Sequence, residues 1–417
     1  MISQKLPALD ITLIMGCKLN CDYCPQDKLV RRYYENTKER KKKLSFENLK
    51  IVLEKVEEGA TIGFAGLSEP FMNEECSDMI VYAYEKGYKI SLYTTLVGMK
   101  MEDIEKLKGV KFDRLVLHIP DEEYRSKFNI NKEYLQVLEE FHKNFPVDFY
   151  SCHGKVHPEV QSIIDFKKYR DFKPQNRAGN LEKEEFEEIN WKGKIACYRA
   201  WSSEAWSVTF TPEMLPDGTL LFCCQDYGLK HQIGNLVKQT WEEIQRGKEF
   251  QKVVAGFKDD TIDTLCRTCS CAKRLEDIPP IRLQRAIQKR KSEIRAADKE
   301  SVKTAPLIDR FARADTVCVF GLGKLFREHF FQEYWSEGLG VSIFSDNNDS
   351  LWGTVLHGKE CVCPDQLAEY SDILVVLFVK NGCNEMIRQL NNIGIDNIIT
   401  IDEVLDTCNS LLGKEEI

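Results

Sequence analysis

Short apolar runs alternate with longer amphipathic segments over the first 160 residues. This alternation predicts repeated strand-helix units around a parallel sheet, which is an α/β fold. About five or six units are fewer than the eight that close a barrel, so we expect a partial barrel with ligands at the carboxyl ends of the strands. The predicted strands are Ile11–Met15, Thr61–Ala65, Lys89–Tyr93, Arg114–Ile119 and Val147–Ser151, and a predicted helix spans Ser45–Gly59.

The middle of the chain has a different pattern. It is rich in Cys and Trp, and turn signals such as Pro216-Asp217-Gly218 separate short strand-like runs. Because it has little apolar mass, we expect something other than a hydrophobic core to hold it together. The predicted divisions are residues 1–175 for the partial barrel, 176–277 for this small domain, 278–310 for a charged linker helix and 311–417 for a last domain.

A second strand-helix alternation begins at Thr316–Phe320 and predicts a doubly wound domain of the Rossmann-like kind. Its first strand enters the glycine turn Gly321-Leu322-Gly323, and Asp346 follows the next strand. This segment resembles Rossmann-type nucleotide-binding units, in which backbone amides receive a phosphate and an acid binds ribose hydroxyls. It also resembles small Rossmann-like domains of sugar-modifying proteins, and the two resemblances imply a nucleotide or nucleotide-sugar as a candidate ligand. Phe326 stands where a third glycine is usual, and a turn that only packs helix on sheet is the alternative.

Composition narrows the classes of partner. The chain has 58 Lys+Arg against 66 Asp+Glu, a net charge of −8, so nucleic acid is not expected as the main partner. No stretch approaches the ~20 apolar residues that span a bilayer, and the first residues do not read as a secretion signal. We therefore expect a cytoplasmic protein, in which 16 reduced cysteines indicate metal binding or buried packing more than disulfides.

Three cysteines follow the first predicted strand at the spacing Cys-x3-Cys-x2-Cys: Cys17, Cys21 and Cys24. Three thiolates leave one iron of a [4Fe–4S] cluster without a protein ligand. An open metal position is what a catalytic site needs, and we expect a small molecule to fill it. A structural zinc knuckle is the alternative.

With Tyr23 before the last of these cysteines, the motif resembles the signature of the radical S-adenosylmethionine (radical SAM) superfamily. The resemblance implies a radical SAM partial (β/α)6 barrel in which the open iron binds S-adenosylmethionine. It also implies a reductant such as flavodoxin or ferredoxin, and a 5'-deoxyadenosyl radical that takes a hydrogen atom from the substrate.

The same resemblance implies further cofactor-binding positions. Gly66, Ser68 and Glu69 lie in a Gly-Leu-Ser-Glu-Pro segment like the family's methionine-binding element, although Leu67-Ser68 departs from the usual small pair. Thr94 and His118 lie at the ends of the third and fourth predicted strands, and together with Tyr23 they are expected to bind the cofactor. Arg177 is the candidate catalytic residue, which would clamp or polarise the substrate. Local backbone contacts or a surface ion pair are the alternatives for these positions.

Four later cysteines, Cys197, Cys223, Cys266 and Cys269, resemble the auxiliary-cluster domain called twitch, the short form of the SPASM extension. Four thiolates would close a second [4Fe–4S] cluster, and zinc is the competing occupant. The sequence leaves open whether Cys224 or Cys271 replaces a neighbour as ligand.

These motifs predict a radical SAM oxidoreductase of the dehydrogenase type. Its substrate would be a carbinol carbon of a sugar, aminocyclitol or nucleotide-sugar, with epimerisation or dehydration as other outcomes. A maturase of ribosomally made peptides is the alternative. Such enzymes often carry a leader-binding domain before the first cluster, and only Met1–Asp10 precede the first predicted strand. A noncatalytic iron–sulfur or zinc scaffold is a third hypothesis.

Overall fold

The structure is a computed structural model. It describes residues 5–36, 41–171, 175–181, 186, 188–197, 211–277, 279–293, 306–323, 325–326, 338–356, 358–379 and 382–412. Its contacts divide the chain into two units, Met1–Lys273 and Arg274–Ile417. No described helix is long and apolar enough to cross a membrane.

The first unit is built on one mixed sheet. Its strands are β1 Leu6–Ile11, β2 Val56–Phe64, β3 Lys89–Thr94, β4 Phe112–His118, β5 Phe149–Cys152, β6 Tyr169–Asp171, β8 Glu213–Met214, β9 Thr219–Leu221 and β10 Gln232–Asn235; β7 Ile195–Cys197 and β11 Ala272–Arg274 form a separate pair. The sheet order is β10-β9-β8-β1-β2-β3-β4-β5-β6. All neighbours from β8 to β6 are parallel, and β9 and β10 are antiparallel additions at one edge.

Helices with one apolar face accompany these strands, namely α1 Gln26–Asn36, α2 Phe46–Leu53, α3 Cys76–Glu85, α4 Met101–Leu107, α5 Lys132–Asn144, α6 Pro158–Gln161, α7 Trp241–Arg246 and α8 Lys248–Gly256. In α5, the cap residue Asn131 accepts the Tyr134 N–H at 2.8 Å, and Tyr134, Val137, Leu138 and Phe141 are buried at helical spacing. The α/β class with parallel sheets is thus as predicted. The partial barrel stays a prediction.

Two predicted boundaries near the amino terminus were wrong. The first strand ends at Ile11 instead of starting there, because from Leu13 to Met15 the backbone leaves the ladder and bonds to the loops beside it. Leu13 O, for example, accepts the N–H of Leu44 at 2.9 Å. The predicted helix Ser45–Gly59 begins as expected after the Ser45 cap but ends at Leu53, and its last residues belong to β2.

The second unit contains a six-stranded sheet in the order β14-β15-β13-β12-β16-β17. The strands are β12 Thr316–Phe320, β13 Ile343–Ser345, β14 Val355–Leu356, β15 Lys359–Val362, β16 Ile373–Leu377 and β17 Ile398–Thr400, and all but β14 pair in parallel. Its helices are α9 Pro279–Glu293, α10 Leu307–Arg313, α11 Cys383–Asn392 and α12 Ile401–Leu412. Leu283 and Ile287 of α9, in the predicted linker, are buried in this unit's core.

The glycine turn after β12 is filled by the chain's own groups. Asp346 Oδ2 accepts the N–H of Leu322 in the turn at 2.5 Å, and Oδ1 accepts the N–H of Asn348 in its own loop at 2.8 Å. Phe326 is fully buried between Phe344 and Phe378. These contacts give no support to nucleotide binding, and a Rossmann-like assignment remains a prediction.

Candidate radical and cluster site

The candidate site lies where strands β1 to β5 end. Because these strands are parallel and adjacent, their carboxyl ends meet at one edge of the sheet. The cysteine loop Gly16–Pro25 follows β1, and the segment Gly66–Pro70 follows β2. Thr94 ends β3 and His118 ends β4, so the structure brings these predicted positions to one edge.

The three loop sulfurs each have hydrogen-bond donors of their own. Cys17 interacts with the backbone N–H groups of Leu19 and Glu69. Cys21 interacts with the hydroxyl groups of Ser126 and Tyr23.

The sulfur of the third cysteine, Cys24, lies 3.6 Å from Gln26 Nε2 and 3.6 Å from Tyr227 Oη. Donors of this kind suit a thiolate, which is the metal-binding form of cysteine.

Burial is the main cause of the raised pKa values of the Cys17 and Cys21 thiols. It raises the pKa of Cys17 to about 12, against a smaller lowering by the two N–H groups. It also raises the pKa of Cys21, which the nearby hydroxyls lower in part. Metal coordination deprotonates such thiols outright, so they would lose their protons on cluster binding.

This donor set fits a four-iron cluster. All three cysteines are free and half-buried, and each sulfur has donors for a negative charge. Within the described ranges, no three His, Cys, Asp or Glu side chains converge on a single ion position. A cubane cluster does not need that convergence, since each thiolate binds a different iron.

The Gly66–Pro70 segment is held against the residues that follow β1. Leu67 N–H donates to Thr12 Oγ1 at 2.8 Å, and Ser68 Oγ donates to Ile14 O at 2.6 Å. Gly66 has a φ of +57°, and a Cβ there would lie 2.6 Å from Thr12 Cα. Only glycine therefore allows this approach. Ser68 was predicted to bind the cofactor, and the contact that its hydroxyl makes in the structure is the hydrogen bond to Ile14 O.

Glu69 is buried and accepts four hydrogen bonds from the chain. Thr94 Oγ1 and the Phe71 N–H reach Oε1 at 2.6 and 3.2 Å, while the N–H and Oγ1 of Thr95 reach Oε2 at 2.7 and 2.6 Å. Burial raises the pKa of this carboxyl group, and the four donors lower it in part. Glu69 therefore joins the loop after β2 to the end of β3.

Tyr23 and His118 form a polar pair beside Cys21. The Tyr23 hydroxyl lies 2.6 Å from His118 Nε2 and also contacts Ser126 Oγ, while His118 Nδ1 lies 3.0 Å from Ser151 Oγ. Burial lowers the pKa of His118 to about 3, helped by His153 and Arg177, so the imidazole is neutral at physiological pH. Burial also raises the pKa of Tyr23.

Ser126 is a site residue that sequence reasoning missed. It lies on the loop after β4, where Asp121 accepts the N–H groups of Arg125 and Ser126 at 2.8 and 3.3 Å. The same loop pairs with the cysteine loop, since Asp22 N–H donates to Arg125 O and Lys127 N–H donates to Leu19 O, both at 2.8 Å. A loop-to-loop contact of this kind leaves no periodic signal in the sequence.

Arg177 lies in a left-handed turn, with φ of +49°, +53° and +75° for Arg177, Ala178 and Gly179. Its guanidinium carbon lies 5.8 Å from the centre of the Tyr227 ring, and its charge lowers the pKa of His118. The predicted catalytic residue therefore lies between the end of β4 and the loop that carries Cys223.

Hydrogen bonds fix this turn to the auxiliary cysteine segments. Asn176 Nδ2 donates to Thr268 O at 2.7 Å, and Asn180 Nδ2 donates to Gln225 O at 3.2 Å. Ala178 O accepts the Thr268 hydroxyl at 3.2 Å.

The four predicted auxiliary cysteines are buried and electrostatically coupled. Cys197 raises the pKa of each of the other three, Cys223, Cys266 and Cys269. For Cys266 the main cause is burial, and for Cys223 and Cys269 it is a hydrogen bond that their own thiols donate to the nearby Cys224 and Cys271. Four thiols that form no disulfide, electrostatically coupled through Cys197, fit the donor set of a closed cluster.

Cys224 and Cys271 have neighbours of different kinds. Cys224 packs with Cys24 against the apolar cluster that contains Tyr227. Cys271 Sγ lies 3.4 Å from Gln175 Oε1, and its N–H reaches Cys269 Sγ at 3.4 Å. Neither contact decides which thiol is a ligand.

Two buried polar residues, Arg267 and His231, support these segments and were also missed. Arg267 donates to Gly193 O and Gly256 O at 2.5 Å and to Trp191 O at 3.1 Å, which fixes the turn between Cys266 and Cys269.

His231, the second of these residues, accepts the Leu265 N–H on Nε2 at 3.0 Å. Its Nδ1 therefore carries the proton and donates to Glu249 at 2.6 Å.

Comparisons with solved structures find weak overall likeness. BtrN in complex with AdoMet and 2-DOIA is 13% identical, with 64% of this chain and 93% of that chain covered and a TM-score of 0.41. Streptococcus suis SuiB bound to precursor peptide SuiA is 13% identical, with 65% of this chain and 71% of that chain covered and a TM-score of 0.43. Native anSMEcpe with bound AdoMet and Cp18Cys peptide is 16% identical, with 63% of this chain and 86% of that chain covered and a TM-score of 0.40. No curated protein matches the chain.

Family models match both cysteine regions. The model of the radical SAM superfamily matches residues 11–166, and that of the SPASM iron–sulfur cluster-binding domain matches residues 208–270. These domains imply [4Fe–4S] clusters and binding of S-adenosylmethionine. The chain therefore contains a radical SAM domain followed by a SPASM iron–sulfur cluster-binding domain.

Proposed function

We propose that the enzyme is an oxidoreductase that removes a hydrogen atom from a carbinol carbon of a sugar or aminocyclitol and yields a ketone. The observation that carries the proposal is the position of Arg177, which lies against Tyr227 and acts electrostatically on the neutral His118. Cys24 belongs to the first proposed ligand set and contacts Tyr227, which lies on the loop that follows Cys223 of the second set. A fixed cation beside uncharged hydroxyl and imidazole groups suits a polyhydroxylated substrate.

The proposed ligands of the open cluster are Cys17, Cys21 and Cys24, and those of the auxiliary cluster are Cys197, Cys223, Cys266 and Cys269. When bound, these groups and S-adenosylmethionine supply a 5'-deoxyadenosyl radical and an acceptor for the electron that the substrate gives up. A one-electron reductant such as flavodoxin or ferredoxin would serve the first cluster.

The oxidation balances as one hydrogen atom, one proton and one electron leaving the carbinol. The hydrogen atom would go to the 5'-deoxyadenosyl radical, the proton would go from the hydroxyl oxygen towards solvent, and the electron would go to the auxiliary cluster that Cys197, Cys223, Cys266 and Cys269 would hold. Arg177 would hold that oxygen and stabilise its negative charge as the proton leaves. The low pKa of His118 keeps its imidazole neutral, so His118 does not add a second positive charge that would repel Arg177.

Gly66, Ser68, Glu69 and Thr94 would act on S-adenosylmethionine mainly by shaping the loop after β2. Glu69 has four donors from the protein, and Ser68 donates to Ile14 O, so these side chains fix the backbone that the ligand would meet. His118 and Tyr23 support Cys21 from the other side.

The test is deuterium transfer in the anoxic, reconstituted enzyme. Sugars and aminocyclitols carrying deuterium at single carbinol carbons are supplied, and we expect one labelled position to appear in 5'-deoxyadenosine together with a ketone product. Arg177→Met should still cleave S-adenosylmethionine slowly without substrate but should lose most of the deuterium transfer. Arg32→Met, which removes an exposed partner of Glu35, is the matched control.

Two results would count against the carbinol substrate. Deuterium transfer from a labelled peptide, with none from sugars, would favour the peptide maturase. Unchanged transfer in Arg177→Met would remove Arg177 from the substrate site.

A further inference from the structure

Tyr227 joins the two cysteine regions directly. It lies on the loop that follows Cys223, yet its hydroxyl oxygen is 3.6 Å from the sulfur of Cys24 in the first cysteine loop. Its ring is buried, 5% exposed, in an apolar cluster with Leu29 and Leu67. The contact therefore links positions about two hundred residues apart within the first unit.

The loop around Tyr227 is anchored on both sides. Asp226 accepts the N–H groups of Lys230 and His231 at 2.8 and 2.7 Å. On the other side, Asn180 donates to Gln225 O at 3.2 Å. Because its neighbours are fixed and its ring is packed, the Tyr227 hydroxyl is held at its distance from Cys24.

The direction of the hydrogen bond follows from the chemistry of the ligand. A cysteine that binds iron does so as a thiolate, which has no proton to donate. The phenol is then the only donor of the pair. A hydrogen bond to a cluster sulfur withdraws negative charge, and this favours the reduced cluster.

We propose that Tyr227 is a positioning residue that donates a hydrogen bond to the Cys24 thiolate and so raises the reduction potential of the first cluster. The proposal rests on Cys24 being a ligand of that cluster. It is independent of the substrate proposed above, so the two can fail separately.

The test is an EPR-monitored redox titration of the anoxic, fully loaded enzyme without substrate. The signal of the first cluster is identified by its change when S-adenosylmethionine is added. Tyr227→Phe keeps the ring and removes the donor, so we expect the midpoint potential to shift to a more negative value while the iron content stays unchanged. Tyr34→Phe is the matched control, because the Tyr34 ring packs on Tyr33 at the same apolar cluster, and no shift is expected there.

A second variant tests the opposite sign. Replacing Tyr227 by 3-fluorotyrosine keeps the ring and the hydroxyl and makes the phenol a stronger donor, so the potential should become less negative. This arm also decides the question if Tyr227→Phe does not assemble its clusters. Unchanged potentials, or shifts of the same sign in both variants, would overturn the proposal.

Discussion

The buried carboxylate of Glu69 accepts four hydrogen bonds, two on each oxygen, so a replacement side chain must supply two acceptor atoms. In Glu69→Gln, an amide N–H₂ replaces one acceptor oxygen and faces donors from Thr94 or Thr95. We expect a loss of about 1–3 kcal/mol in the free energy of unfolding, as for other buried groups left without a partner. Anoxic chemical denaturation of the loaded enzyme measures this loss.

The control for that change is Glu74→Gln. The Glu74 side chain is 66% exposed and pairs on the surface with Lys43, so its replacement should leave the free energy of unfolding nearly unchanged. Equal effects of the two variants would contradict the structural role assigned to Glu69.

His118 gives a pH dependence of known sign. Its pKa is about 3 in the fold, against 6.5 as its ordinary value, so the unfolded chain binds a proton that the native chain does not. Stability is therefore complete above pH 6.5 and falls as the pH is lowered through that value. Between pH 7 and 5.5 we expect His118 to account for about 1 kcal/mol of lost unfolding free energy.

The comparison variant is His118→Gln, which cannot titrate. Its loss of stability between the same two pH values should be smaller than that of the parent by that amount. Denaturation curves at both pH values check this, and identical pH dependence in parent and variant would contradict it.

The individual residues differ in how visible they are in the sequence. The spacing of Cys17, Cys21 and Cys24 is local, so it could be recognised from a few consecutive letters. Ser126 and Tyr227 could not be found this way, because each contacts a cysteine about a hundred or two hundred positions away. Only the folded sheet brings those residues together.

At the scale of elements, the short turn Leu265–Thr268 depends on one guanidinium. Arg267 is buried and joins three backbone carbonyl groups beside Cys266 and Cys269. Arg267→Lys keeps the charge but cannot reach all three acceptors. We expect iron to fall from about eight to about four per chain while cofactor cleavage by the first cluster persists.

Iron analysis and 5'-deoxyadenosine formation after anoxic reconstitution measure this. Arg246→Lys, in which the replaced residue is an exposed partner of Glu242 on α7, should keep the full iron content. Loss of both clusters, or of neither, in Arg267→Lys would argue against the assignment.

Element boundaries show what pattern alone could not predict. Periodicity found β3 and β4 to within two residues, because apolar residues dominate those buried strands. It misplaced β1, since Thr12–Met15 are as apolar as a strand. From Leu13 onward their backbone groups instead bind the loops after α1 and β2, including Leu44 and Ser68. Apolar composition cannot distinguish these two uses of the backbone.

For the whole molecule, the division at Lys273 gives a direct experiment. All seven cysteines proposed as cluster ligands lie in Met1–Lys273. A chain that ends at Lys273 should therefore hold about eight irons and cleave S-adenosylmethionine. Iron and sulfide analysis and product assay, beside the full chain, test this, and an iron-free fragment would show that the second unit is required.

The α/β class and the two cysteine regions could be predicted from the sequence, but the joining of the regions could not. Little apolar mass between residues 176 and 277 suggested a separate small domain. The structure instead places β8 beside β1 in parallel, and the buried Thr12 hydroxyl donates to Glu213 at 2.6 Å. A pairing across two hundred residues has no local signature.

That pairing has a consequence for how such an enzyme can be altered. A graft that exchanges only the segment from β8 to β10 would cut a continuous hydrogen-bonded ladder and expose the edge of β1. It would also break the hydrogen bond between the Thr12 hydroxyl and the Glu213 carboxylate. A working chimera must therefore carry the first strand and its acidic neighbour together, so the two regions should be inherited as one piece.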